Sequence, residues 1–206
     1  MSVIEVFADI SCPFTYVGLR SLVDRRAAVG SANRIVVHAW PLEWVNGRGV
    51  TAEAVAPEIS ALRASVAPEL FAGFNPETFP VTTLPALALC ARAYRTGVDT
   101  GEAVALATRI ALFEQGLDVS DPEVLHDLAL AHDLDPTETD SDRADVAREY
   151  EDGKTRGVVG SPYFIVDGGG FFCPSLEISK QDGEFSVVLD TKAFEDFVSR
   201  AFRVEP

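Results

Sequence analysis

The sequence predicts an α/β fold built on one sheet, with an all-helical block inserted between its opening and closing strands. Three observations predict it. A strand–helix–strand pattern opens the chain. An Ala-rich stretch with helical periodicity fills its middle. Short β-branched and aromatic runs return near the end, followed by a last amphipathic helix.

The opening unit is the plainest. Residues Val3 to Ala8 form a short β-branched and aromatic run, the signature of a buried strand. Pro13 sits where a helix can begin, because its missing N–H costs nothing in a first turn. From Tyr16 to Val29, the apolar residues Val17, Leu19, Leu22, Val23 and Ala27 recur at roughly helical spacing, and Gly30 is a natural stop. "RIVVHAW", Arg34 to Trp40, reads as a second strand closed by Pro41. Such a βαβ unit implies parallel strands and a right-handed crossover.

From Thr51 onward the character changes. "AEAVAPEISALRASV", "LPALALCARAYRTG", "TGEAVALATRIALFEQG" and "SDPEVLHDLALAHDLD" each carry helical periodicity, separated by Pro, Gly, Asn or Asp. Ser120 precedes Glu123 at capping-box spacing, so Ser120 is the expected cap. A further helix is expected from about Ser141 to Thr155. Strands then return in "PYFIVD" and "FFCPSLEIS", which flank a "GGG" read as a hairpin turn. "EFSVVLD" follows the turn "KQDG". The final helix places Phe194, Phe197, Val198, Ala201 and Phe202 on one face. The expected division is residues 1–60 and 137–206 for the sheet domain and 61–136 for the helical insertion.

The 206 residues carry a net charge of -15, with 47% hydrophobic and 24% charged residues. That is a globular composition. Its sign excludes nucleic acid, which needs clustered Lys and Arg, and an anionic membrane surface. The segment Asp118 to Asp152 holds thirteen Asp/Glu against two Arg and is expected to be a solvated helical face. Three cysteines are too few and too uneven for a secreted disulfide scaffold. "MSVIEVFADI" has no basic n-region, and no run is long and apolar enough to span a membrane. A cytoplasmic protein is expected. No Cys/His/carboxylate cluster has metal-ligand spacing, and the "GGG" opens no helix, so it is not a phosphate loop.

Two short stretches carry chemistry. In "ISCPFTYVG", Cys12 lies at the inferred strand-to-helix junction, where the positive end of a helix favours the thiolate. Cys12 is therefore expected to ionise below free cysteine and to alkylate faster than Cys90 or Cys173. Thr15 lies one turn on, able to aim its hydroxyl at the sulfur. In "GVVGSPYFIV", Ser161–Pro162 precedes a strand and is a candidate for the cis isomer. Phe14, Trp40, Trp44 and Tyr163 could line an apolar cleft, with core packing the competing reading for Trp40 and Phe14 the best candidate for exposure. Cys173 is either a remote resolving thiol or a buried strand residue, and the second is favoured. Cys90, amid Leu87, Leu89 and Ala91, reads as core. His38 is expected to be structural.

These two stretches, with this strand order, resemble the DsbA family of thioredoxin-like thiol–disulfide proteins over nearly the whole chain. The sequence is most similar to the FrnE-like branch, the 2-hydroxychromene-2-carboxylate isomerases and the kappa-class glutathione transferases. The resemblance implies a thioredoxin-like fold with an all-helical insertion, of which "ALFEQGLDVSDPEVLHDLA" looks like part. It implies Cys12 as nucleophile in a cysteine motif and Pro162 as the cis-proline facing it. Pro13, Phe14, Ser161, Tyr163 and Ser175 become substrate contacts. The second cysteine of C-x-x-C is replaced by Thr15, which removes the usual dithiol cycle. In the isomerase and transferase branches a polar loop after the last hairpin grips glutathione, and the matching Phe172–Ser175 retains only Ser175 as a polar contact.

The expected function is thus a monothiol disulfide oxidoreductase forming mixed disulfides through Cys12. The alternative is an isomerase or transferase that uses a thiol cofactor on an aromatic electrophile, with Cys12 or Thr15 orienting the cofactor sulfur. The third reading is a non-catalytic module that keeps only the groove. No tightly bound cofactor and no metal are expected. A low-molecular-weight thiol would be co-substrate, with a disulfide-bearing molecule as partner and a homodimer left open.

Overall fold

The structure is a computed structural model that describes residues 3–174, 176–181 and 184–202. The first strand, β1 (Val3–Ala8), pairs in parallel with β2 (Arg34–Ala39), in a register that sets Val3 against Arg34 and Ala8 against Ala39. The crossover is α1 (Pro13–Ala28). The strand β3 (Tyr163–Val166) runs antiparallel on the other side of β1, and β4 (Gly169–Phe172) follows it, giving the order β2-β1-β3-β4. β1 is therefore central. Ile4, Val6, Phe7 and Ala8 are all fully buried, which explains a run that is almost uninterruptedly apolar.

Between β2 and β3 the chain is helical: α2 (Leu42–Asn46), α3 (Ala52–Ser65), α4 (Leu84–Thr96), α5 (Val98–Phe113), α6 (Pro122–Ala131) and α7 (Asp140–Thr155). The short α2 has too few residues to show a period and was not predicted. The helix α3 runs across position 60. The block is joined to the sheet side by an aromatic cluster, with Tyr16 of α1 stacked on Phe113 of α5 at 5.4 Å and edge-on to Phe71 at 5.6 Å. The helix α7 packs directly on the sheet. A Cβ added to Gly153 would stand 2.7 Å from the Trp40 ring, so only glycine permits this approach.

The structure differs from the sequence expectations at five points. The returning strands do not all join one sheet: among the described residues, β5 (Leu176–Gln181) and β6 (Glu184–Leu189) pair only with each other, and β6 packs on α3. The "FFCPSLEIS" run breaks because Cys173 is in the left-handed region (φ 44) and Pro174 has no N–H to donate to a ladder. The hairpin turn lies at Asp167 and Gly168 (φ 48 and 77), while Gly169 and Gly170 belong to β4. The cap of α6 is Asp121, whose carboxylate accepts the Glu123 N–H at 2.8 Å, whereas Ser120 bonds back to Asp118 at 2.6 Å.

The acidic segment, too, is not simply a solvated face. Asp142 and Asp145 are buried and ion-paired to Arg95, and Glu149 accepts the backbone N–H of Ala39 at 2.7 Å. These acids fasten α7 to α4 and to β2. The last helix, α8 (Thr191–Phe202), buries Phe197, Val198, Ala201 and Phe202. Among the described residues no helix is long and apolar enough to cross a membrane.

Candidate functional site

β1 ends at Ala8, and four residues later Cys12 is the N-terminal flanking residue of α1, extended at φ -79 and ψ 112, with Pro13 opening the helix. The carbonyl of Cys12 accepts the Tyr16 N–H at 3.3 Å and starts the helical ladder. The thiol donates to the Ser161 carbonyl at 3.2 Å. The Ser161–Pro162 peptide is cis. The Ser161 hydroxyl lies 2.9 Å from that of Thr15 and accepts the Asp9 N–H at 3.0 Å. Two chain segments some 150 residues apart in sequence are thus tied by side-chain hydrogen bonds around one sulfur.

Behind this loop lies a polar hub. Asp9 is 1% exposed. One carboxylate oxygen accepts the Ser11 N–H at 2.8 Å and the Ser11 hydroxyl at 2.7 Å; the other accepts the Leu42 N–H at 2.7 Å. The Thr83 hydroxyl donates to the same carboxylate at 3.1 Å. Arg109 of α5 is fully buried and donates to the Asp9 carbonyl at 3.0 Å and the Ala105 carbonyl at 2.7 Å. Thr83 and Arg109 both come from the helical block, so that block holds the cysteine loop in place. Sequence reading missed Asp9, Thr83 and Arg109. The signal available was Asp9, a lone acid between an apolar strand and "ISCP", where a charge needs partners if it is buried.

The sulfur faces a cavity of about 310 Å³. Its lining includes the apolar Leu42, Val55, Phe172 and Ile178 together with Cys12, Pro13, Phe14, Ser161 and Cys173. Glu58 of α3 adds a carboxylate. A second cavity, of about 270 Å³, is lined by Trp44, Thr82, Leu84, Pro85, Glu138, Arg143 and Val146, with no cysteine among them.

The expected thiolate is corrected. Cys12 is 5% exposed. Burial pushes its thiol up, and hydrogen bonds with Thr15 and Ser161 pull it down without prevailing; the charge of Glu58 also pushes it up. A helix end contributes at most about 2 kcal/mol, whereas full burial can move a thiol by several pKa units. Cys12 therefore rests as a neutral S–H donor, which fits its bond to the Ser161 carbonyl.

Of the predicted site residues, Cys12, Pro13, Phe14, Thr15, Ser161 and Pro162 come together. Phe14 lines the cavity but is buried, not exposed, at 8%. Tyr163 stands on β3 opposite Phe7 and Phe172, packed beside the Phe7–Trp40–Ile165 cluster rather than on the cavity wall. Trp40 is buried and Trp44 exposed, so the four aromatics do not form one cleft. Ser175 lies outside the described residues. His38 sits between Glu5 (3.2 Å) and Glu149 (3.6 Å), stacked on Phe7, and is structural. Cys90 is buried between α4 and α5, 3.7 Å from the Thr108 hydroxyl. No cluster of His, Cys, Asp and Glu suited to a metal occurs among the described residues.

Comparison with known proteins agrees with this fold. The profile of the DSBA-like thioredoxin domain matches residues 3–185. No curated protein matches the sequence. Among solved structures, a probable DsbA oxidoreductase from Streptomyces coelicolor is 18% identical, with a TM-score of 0.65 over 99% of this chain and 91% of that one. A 2-hydroxychromene-2-carboxylate isomerase is 13% identical, with a TM-score of 0.63 over 82% and 88%. The cytosolic disulfide reductase DsbM from Pseudomonas aeruginosa is 15% identical, with a TM-score of 0.58 over 96% and 95%. At these identities the likeness is one of fold.

Proposed function

The chain belongs to the DSBA-like thioredoxin domain family, and from that premise we propose that it is a thiol–disulfide oxidoreductase whose nucleophile is Cys12. One observation carries the reading: the Cys12 sulfur stands at the start of α1, 3.2 Å from the Ser161 carbonyl, at the wall of a cavity large enough for a small disulfide. In the proposed reaction Cys12 loses its proton and attacks one sulfur of a bound disulfide. A mixed disulfide forms, and the other half leaves as a thiolate. Ser161 then loses its S–H donor, and its freed carbonyl can accept a hydrogen bond from a peptide-like substrate. Thr15 and Ser161 hydrogen-bond the sulfur while it carries charge.

A strong oxidant of this type keeps its reduced thiolate stabilised, whereas burial of Cys12 pushes its thiol the other way. An external low-molecular-weight thiol renews the reduced state, and a reducing cytoplasm suits all three cysteines, which are free thiols.

The test is intact-mass spectrometry after exposure to bis(2-hydroxyethyl) disulfide, with wild type and Cys12→Ser compared. Reaction at Cys12 that is lost in the variant, by about 100-fold or more in rate, supports the reading. No reaction at Cys12 in the wild type rejects it. Thiol-dependent turnover of an aromatic electrophile, unchanged in Cys12→Ser, would replace it with an isomerase or transferase.

A further inference from the structure

The cysteine motif lacks its second thiol, and Thr15 cannot replace it. A hydroxyl does not resolve a mixed disulfide, and Thr15 is fully buried against the Ser161 hydroxyl. A thiol does reach the site from elsewhere. Cys12 hydrogen-bonds the carbonyl of Ser161, and the N–H of Cys173 donates to the carbonyl of the next residue, Pro162, at 3.1 Å. The two cysteines thus flank a single dipeptide, and both line the same cavity. We propose that Cys173 is the resolving cysteine, so that the redox pair is Cys12–Cys173, assembled across the Ser161–Pro162 loop instead of within one helical turn.

This inference rests on Cys12 being the nucleophile, as argued above, and adds a second catalytic residue. Three further features fit it. Cys173 holds a left-handed φ of 44, uncommon for a residue with a side chain, at the point where the chain leaves one sheet for another. That break is a place where backbone can shift without disturbing a ladder. Burial pushes the Cys173 thiol up to about 12, and the nearby Cys12 adds to the effect, as expected of two thiols within electrostatic reach. A thiol so raised is ionised in only roughly one molecule in 10⁴ at pH 8. Effective molarities of about 10⁵ M or more for aligned intramolecular reactions offset that scarcity.

The cycle balances. Cys12 thiolate attacks a substrate disulfide, forming the Cys12 mixed disulfide and expelling one thiolate. Cys173, after losing its proton to solvent, attacks the Cys12 sulfur, forms the Cys12–Cys173 bond and expels the second thiolate. The protein has lost two electrons and two protons, and the substrate has gained them as two thiols. Two equivalents of an external thiol restore the dithiol and leave as their own disulfide. The cavity next to both sulfurs gives that thiol its approach.

Reduced full-length protein is mixed with excess bis(2-hydroxyethyl) disulfide, quenched in acid and weighed intact. Wild type is expected to lose the mass of two hydrogens with no adduct, and a non-reduced peptide map should join the Cys12 and Cys173 peptides. Cys173→Ser and Cys173→Ala should instead retain one 2-hydroxyethylthio group on Cys12, with accumulation of the adduct at least tenfold above wild type. Cys90→Ser should behave as wild type. A stable Cys12 adduct in wild type, with Cys173 still free, would overturn the pairing and leave Cys12 as nucleophile. Absence of both the adduct in the Cys173 variants and the internal disulfide in wild type would instead reject the proposed function, and this inference with it. The wild-type peptide map decides the matter even if a Cys173 variant does not fold.

Discussion

Cys12 and Cys90 are equally buried, each 5% exposed, and burial raises both thiols. Their surroundings differ. Cys90 sits inside α4 against Thr108 of α5, so reaching it requires separating two packed helices. Cys12 sits at a helix start, on a loop held by side-chain hydrogen bonds to Asp9, Thr15 and Ser161, beside a cavity. Local openings of loops cost far less than those of core helices. Depth therefore does not distinguish the two thiols. The kind of contact that covers each does.

The contrast can be broken most severely at Asp9. Asp9→Ala leaves the Ser11 and Leu42 N–H groups and the Thr83 hydroxyl without their acceptor. Each buried donor so orphaned costs about 1–3 kcal/mol, so a loss of roughly 3 kcal/mol or more is expected in urea unfolding. In the surviving native protein Cys12 should alkylate several-fold faster, while Cys90 is unchanged. Equal acceleration at both cysteines would show that the hub supports the whole molecule and not the loop.

A second prediction follows the pH dependence of alkylation. Because the Cys12 thiol is raised, its rate with iodoacetamide should still climb about tenfold per pH unit beyond the free-thiol value near 8.5. A plateau by pH 7 would reveal a stabilised thiolate and return the site to the ionisation expected from its place at a helix end.

Thr15→Cys sharpens the comparison at smaller scale. It sets a thiol where the usual second cysteine stands and removes the Thr15–Ser161 hydroxyl contact at 2.9 Å. Disulfide-exchange activity should rise a few-fold, and the stability cost should be about 1 kcal/mol. An unchanged rate would mean that Cys173 already resolves Cys12 faster than a thiol in the first turn can.

The smallest effect is expected at His38. Burial disfavours its charged form, but hydrogen bonds and charges from Glu149 and Glu5 outweigh burial, and its pKa is raised. The resulting stability is fully present below the unfolded value near 6.5 and is lost as pH rises through the folded value. His38→Gln should therefore cost up to about 1 kcal/mol at pH 5.5 and less at pH 9, read from denaturant midpoints. A cost that grows with pH would mean that the neutral ring is the bonded form.

The sequence by itself determined what depends on short range. β1 and β2 were legible from β-branched and aromatic runs, and the long helices from their period and their Pro and Gly stops. Cys12 at a strand-to-helix junction was legible because β1 ends and Pro13 opens a helix within a few residues. Only the tertiary structure decided the rest. Asp9 reads as an ordinary loop acid until Thr83 and Leu42 close on it, and Arg109 as a helix-surface cation until the Asp9 carbonyl meets it in the interior. The ionisation of Cys12 is a contest between a local helix end and burial by distant chain. Burial wins, and no window of sequence contains it. Likewise, the run through Cys173 reads as one strand. Its break, and the arrival of that thiol at the cavity of Cys12, depend on which carbonyl the Cys173 N–H finds across the sheet.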